Sequence, residues 1–75
     1  MINKIQITGT IRLGQFLKLT NIAENGHDAK NIIAQGKVTV NNETALQRGM
    51  QLKNKDIISV KINGEKITTQ IEQIQ

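Results

Sequence analysis

The sequence predicts an α+β fold in which two short, packed helices are carried on a small, mainly antiparallel sheet, within a single domain of residues 1–75. Three observations predict it. Between Arg12 and Asn41 two helical stripes follow one another with little slack: Leu13, Phe16, Leu17 and Thr20 fall at i, i+3, i+4, i+7, and Ala29, Ile32 and Ile33 repeat the spacing. The clearest strand, Asp56 to Ile62, alternates and runs into Asn63-Gly64, the strongest short-range hairpin signal. Finally, 75 residues with no cysteine and no internal repeat allow one core and no disulfide framework. A domain of this size buries only about 60–65% of the surface its unfolded chain exposes.

Taken in order, Asn3 to Thr8 is an expected edge strand, with Ile5 and Ile7 alternating against polar residues and Ile2 as a third apolar position. Gly9-Thr10 ends it, and Thr10 is placed to cap a helix over about Ile11 to Leu19. Gly14 inside that helix costs roughly 1 kcal/mol relative to alanine, but leaves a spot where another backbone can approach. Arg12, Gln15, Lys18 and Leu19 lie away from the apolar stripe and form an exposed face. Asn21 to Asn25 leaves room only for a tight corner, so the two helices should pack at an angle. Asn25 is an N-cap candidate for the second helix, and Asp28 puts a negative charge in its first turn, against the positive end of the helix dipole. Gly36 follows where a left-handed C-terminal cap is expected.

Val38 to Val40 is the next strand. Asn41-Asn42 tolerates the positive φ of a two-residue turn, and Glu43 to Leu46 reads as a short return strand. Gln47 to Lys55 is polar, with Met50 and Leu52 as expected anchors. After Asn63-Gly64, Lys66 to Ile71 supplies the partner strand through Ile67, Thr69 and Ile71, and Glu72 to Gln75 is expected to fray.

Composition narrows function. His27 is the sole histidine and there is no cysteine, which excludes multi-histidine and thiolate metal sites. Ser59 is the sole serine and lies mid-strand, outside any nucleophile-elbow pattern. Neither GxxxxGK[ST] nor GxGxxG occurs, and the acids flanking the second helix start, Glu24 and Asp28, read as caps. The expectation is a protein that is not an enzyme and has no cofactor. The apolar runs are two or three residues long, so no membrane span or signal peptide is expected, and the cytoplasm is the expected location.

The formal net charge is +4, and its placement is uneven. From Met1 to Ala23 there are Lys4, Arg12 and Lys18 and no carboxylate; from Asn41 onward Arg48, Lys53, Lys55, Lys61 and Lys66 stand against Glu43, Asp56, Glu65 and Glu72. A positive field on the helical half is the footprint of a polyanion site; a merely solvated lysine-rich surface is the alternative reading. Phe16 is the only aromatic residue and belongs to the apolar stripe. There is thus no platform for stacking splayed bases, so a nucleic-acid partner would be held through phosphates, sugars and shape.

Residues 12–60 resemble the RNA-binding domain named after small-subunit ribosomal protein S4. The resemblance rests on the joint spacing of Arg12-Leu13, Leu17, Ala29-Lys30, Gly36, Val38, Val40-Asn41, and Asp56 with Ile58 and Val60. Leu13 to Lys18, Gly26 to Lys30 and Arg48-Gly49 are similar to the small stand-alone bacterial members of the YaaA/YbcJ type. Gly14 stands where an aspartate is common, Leu19 and Gly26 where arginines often contact RNA, and Asn42 where a turn glycine is usual; Lys18 beside Leu19 offers a cation on the same face. The resemblance implies an α-L-shaped helix pair that binds structured RNA, most often ribosomal RNA, with its exposed surface. Carried onto this chain, Arg12, Lys18, Lys30, Lys37 and Arg48 would neutralise phosphates. Gln15 and His27 would hydrogen-bond to sugar or base edges, and Gly26 marks a contact position. The expected partner is a ribosomal RNA or ribosomal subunit, bound by a monomer acting in ribosome assembly or on the ribosome. The alternative is a protein-interaction adaptor that keeps the fold but, lacking two arginine positions, binds RNA weakly or not at all.

Overall fold

A computed structural model describes residues 3–74; the expectations placed on Ile2 and Gln75 lie outside the described residues. The elements run β1 (Asn3–Thr8), β2 (Ile11–Arg12), α1 (Leu13–Leu19), α2 (Gly26–Ala34), β3 (Val38–Val40), β4 (Glu43–Thr44), β5 (Gln51–Leu52), β6 (Ile57–Ile62) and β7 (Glu65–Ile74). β1, β7, β6, β3 and β4 form a five-stranded sheet in that order, with β2 and β5 as a separate antiparallel pair. The pairings in the large sheet are antiparallel except β1 against β7, and β1 stands at one end of the strand order, the edge position expected of it.

One face of this sheet meets both helices. Leu13, Phe16 and Leu17 of α1 and Ala29 and Ile33 of α2 share a core with Ile7, Val38, Val40, Ile58, Val60 and Ile71. Phe16, Leu13 and Leu17 are fully buried, each worth about 1.5–3 kcal/mol relative to exposure. The corner between the helices is closed by left-handed Asn21 (φ 62°) and by the Ile22 and Ala23 N–H groups, both donating to the Leu17 carbonyl. Asn25 caps α2, its Oδ1 accepting the Asp28 N–H at 2.8 Å, while Asp28 Oδ2 accepts the Glu24 N–H at 3.0 Å. The helix start is therefore used for capping, and Gly36 ends the helix with φ 73°.

Both two-residue turns are as the sequence predicts. Asn41 and Asn42 have φ 52° and 70°, Asn63 and Gly64 have φ 51° and 81°, and Val40 pairs with Glu43 as Ile62 does with Glu65. Asn41 also ties its turn to the next strand: its Nδ2 donates to Asp56 Oδ1 at 3.0 Å and its Oδ1 accepts the Ile57 N–H at 3.0 Å. Asp56 Oδ2 in turn accepts the Lys53 N–H at 2.8 Å.

Six expectations need correction. Helix α1 begins at Leu13, not Ile11, because Ile11 and Arg12 pair with Leu52 and Gln51. The cap is consequently at Arg12, whose N–H donates to Gln15 Oε1 at 3.0 Å, and not at Thr10. The polar stretch 47–55 thus contains a strand, and within it Leu52 is buried as expected while Met50 is exposed and contributes its carbonyl, which accepts the Leu13 N–H at 2.8 Å. The return strand after Asn42 is only Glu43–Thr44, leaving Leu46 exposed. Lastly, β7 does not fray after Ile71: parallel pairing with β1 carries it to Ile74, and the Gln73 N–H donates to Asn54 Oδ1 at 2.8 Å.

Candidate functional site

Helix α1, the start of α2 and the loop before β5 converge on a shallow groove of about 210 Å³, lined by Arg12, Gly14, Gln15, Lys18, Gly26, Ala29, Arg48 and Gly49. The loop reaches α1 because position 14 has no side chain. The Gly14 N–H donates to the Arg48 carbonyl at 2.9 Å, and a Cβ at Gly14 would lie 3.3 Å from Arg48 Cβ. Arg12 fastens the same loop from the other side, its guanidinium donating to the Gly49 carbonyl at 2.7 Å. One of Arg12's five donors is thereby used structurally, and the others stay available. Gln15 uses one of the two Oε1 lone pairs on the α1 cap and keeps its whole amide NH₂ for a ligand.

Arg48 crosses from Gly14 toward Gly26, and its guanidinium lies 3.9 Å from where a Gly26 Cβ would begin. The cation missing at position 26, where the family resemblance points to an arginine, is thus matched by a guanidinium arriving from the loop. Lys18 lies in the last turn of α1, where a cation also suits the negative end of the helix. Arg12, Lys18 and Arg48 are all exposed, and no carboxylate is among the described residues that line the groove. The arrangement presents one extended strip of guanidinium and ammonium donors, suited to phosphate oxygens.

Of the eight residues singled out from sequence, Arg12, Gln15, Lys18, Gly26 and Arg48 meet in this groove. His27 and Lys30 are exposed on α2 beside Gly26 and Ala29 without lining it. Lys37 is elsewhere, in a groove on the sheet with Lys61 and Lys66. Sequence reasoning finds the room left by Gly14 without assigning it to the site, and it counts Lys61 and Lys66 among the basic residues without placing them beside Lys37. The latter pair is available from the Asn63-Gly64 turn, since a two-residue hairpin sets Lys61 opposite Lys66.

Comparison with known proteins identifies the family of the chain. The profile of the S4 domain matches residues 4–70. The chain is 39% identical over 61 residues to the probable ribosome maturation protein RlbA of Bacillus subtilis (strain 168), covering 80% of this chain and 86% of that protein. Among solved structures, the 30S ribosomal protein S4e of Thermoplasma acidophilum superposes with a TM-score of 0.53 at 19% identity. The match covers 88% of this chain but only 38% of that one, and at such identity the likeness concerns the fold alone.

Proposed function

The chain belongs to the S4 domain family, and from that premise we propose that it is a non-catalytic module that binds structured RNA, ribosomal RNA in particular, during ribosome assembly or function. The observation that carries this reading is the groove between α1, α2 and the 47–50 loop, where Arg12, Lys18 and Arg48 converge with no carboxylate among the described lining residues. Lys18 and Arg48 contact phosphates. Arg12 does so with the donors left over from holding Gly49, and the Gln15 amide reaches a sugar or base-edge acceptor. Lys30 and His27 flank the groove on α2 and extend the contact along the same RNA. Shape and backbone are what such a surface reads, since it offers no aromatic ring for stacking. The module acts as a monomer in the cytoplasm, where ribosomal RNA is met.

The experiment is salt dependence of binding to fragmented ribosomal RNA, for the wild type and for Lys18→Ala and Arg48→Ala separately. Removing one phosphate-binding side chain should flatten the log–log slope by about 0.7–0.9 units. Affinity that hardly changes with salt and is the same in all three proteins would contradict RNA binding through this groove and favour a protein partner.

A further inference from the structure

The opposite face of the sheet carries a second concentration of charge. Val38, Val40, Ile58 and Val60 point into the core beneath the helices, so strand alternation turns Lys37, Thr39, Ser59 and Lys61 outward. The β6–β7 register adds Lys66 opposite Lys61 and Thr68 opposite Ser59. The Lys61 N–H donates to the Lys37 carbonyl at 3.0 Å, so the three lysines form one row across three neighbouring strands. With strands about 5 Å apart, three exposed ammonium groups share a strip roughly 10 Å wide. They line an open groove of about 440 Å³ together with Gly36, Thr39, Asn42 and Ser59, and no carboxylate is among its described lining residues. Glu72 lies on the same face of β7, but six residues from Lys66, about 20 Å along the strand.

A solvated outer face explains polarity but not this pattern. Like charges directly opposite one another destabilise a sheet, and a carboxylate at either position 61 or 66 would turn the pair attractive. Next to the lysines lie the half-buried hydroxyl residues Thr39 and Thr68, with Ser59 buried between them and its Oγ hydrogen-bonded to Thr68 Oγ1 at 3.2 Å. Ammonium groups beside hydroxyls fit phosphate and sugar oxygens. None of the described residues that line the groove is large and apolar or aromatic, so none of them would enter a lipid surface.

We propose that Lys37, Lys61 and Lys66 form a second phosphate-backbone site, on the sheet face turned away from the helix pair, through which the domain holds two RNA segments at once. The inference rests on the reading of the helix-side groove as an RNA site.

The test mixes donor-labelled and acceptor-labelled pools of fragmented ribosomal RNA with the full chain. It compares the wild type with Lys61→Gln/Lys66→Gln and with Lys18→Ala/Arg48→Ala, reading energy transfer between pools and the salt slope of binding. The wild type should bring donor and acceptor together at low protein ratio and lose transfer when protein is in excess. Lys61→Gln/Lys66→Gln should abolish transfer, flatten the slope by about 1.4–1.8 units, retain one-to-one binding, and melt no lower than the wild type, because a repulsion has been removed. Absence of transfer in the wild type, or wild-type transfer and slope in the sheet variant, overturns the second site while leaving the helix-side groove standing. A sheet variant that loses all RNA binding while Lys18→Ala/Arg48→Ala binds normally would instead show that the sheet holds the only site, overturning both the pairing of sites and the groove reading.

Discussion

Asn41 and Asn42 occupy the two central positions of one turn, both with positive φ, yet only Asn41 is tied into the rest of the molecule. Replacing either by glycine preserves the backbone conformation and carries a similar entropic cost, so the difference between Asn41→Gly and Asn42→Gly isolates the side chain. Asn41→Gly removes a bond to the Asp56 carboxylate and one from the Ile57 N–H, both 3.0 Å long, whereas among the described residues the Asn42 side chain forms none. Taking about 1 kcal/mol for each, the low end for the charged acceptor because the site is exposed, Asn41→Gly should be less stable than Asn42→Gly by about 2 kcal/mol. At about 4–8 °C per kcal/mol for a domain this small, the melting temperatures should differ by roughly 8–16 °C. With one phenylalanine and no tryptophan or tyrosine, the chain is best followed by far-ultraviolet circular dichroism in urea and on heating. Variants within about 0.5 kcal/mol of each other would refute the argument that this network anchors the turn to β6.

Gly64→Val forces a β-branched residue to φ near 81° and should cost about 1–2 kcal/mol; an unchanged denaturation midpoint would contradict it. Asn25→Ala removes the cap of α2 and should cost about 1 kcal/mol, with Asn25→Ser restoring most of it in the same urea titration. Gly14→Val places a branched side chain where Cβ alone would lie 3.3 Å from Arg48 Cβ, so the 47–50 loop should lift from α1. Hydrogen exchange at the Leu13 and Gly14 amides, which donate to Met50 and Arg48, should quicken at least about tenfold, equivalent to about 1.4 kcal/mol; unchanged exchange would mean the loop is held without them.

The parts legible in the sequence are those fixed by local periodicity or turn chemistry. The stripes through Leu13, Phe16, Leu17 and through Ala29, Ile33 are the buried helix faces, and Asn41-Asn42 and Asn63-Gly64 are two-residue turns. What stays hidden depends on contacts distant in sequence. Ile11–Arg12 and Gln51–Leu52 are strands only because they meet, and two residues carry no period of their own. β7 extends to Ile74 because β1, at the other end of the chain, pairs with it in parallel. The site is legible to the extent that it lies on α1 and its cap, with Gln15 and Lys18 on the face that helical spacing assigns to them and Arg12 at the N-cap just before it. Arg48 needs the loop's path over Gly14, a long-range backbone contact that spacing does not reveal. Lys37 follows α2 closely in sequence, yet the alternation of β3 sends it to the other side of the sheet.

The most direct measurement of the central claim is a titration of the isotopically labelled chain with fragmented ribosomal RNA, read amide by amide by nuclear magnetic resonance. The account predicts that broadening and shift changes concentrate at residues 12–18, 26–30 and 48–49, diminish as salt is raised, and are reduced in Arg48→Ala. Changes absent from these residues, or present there but unaffected by salt and by Arg48→Ala, would contradict it.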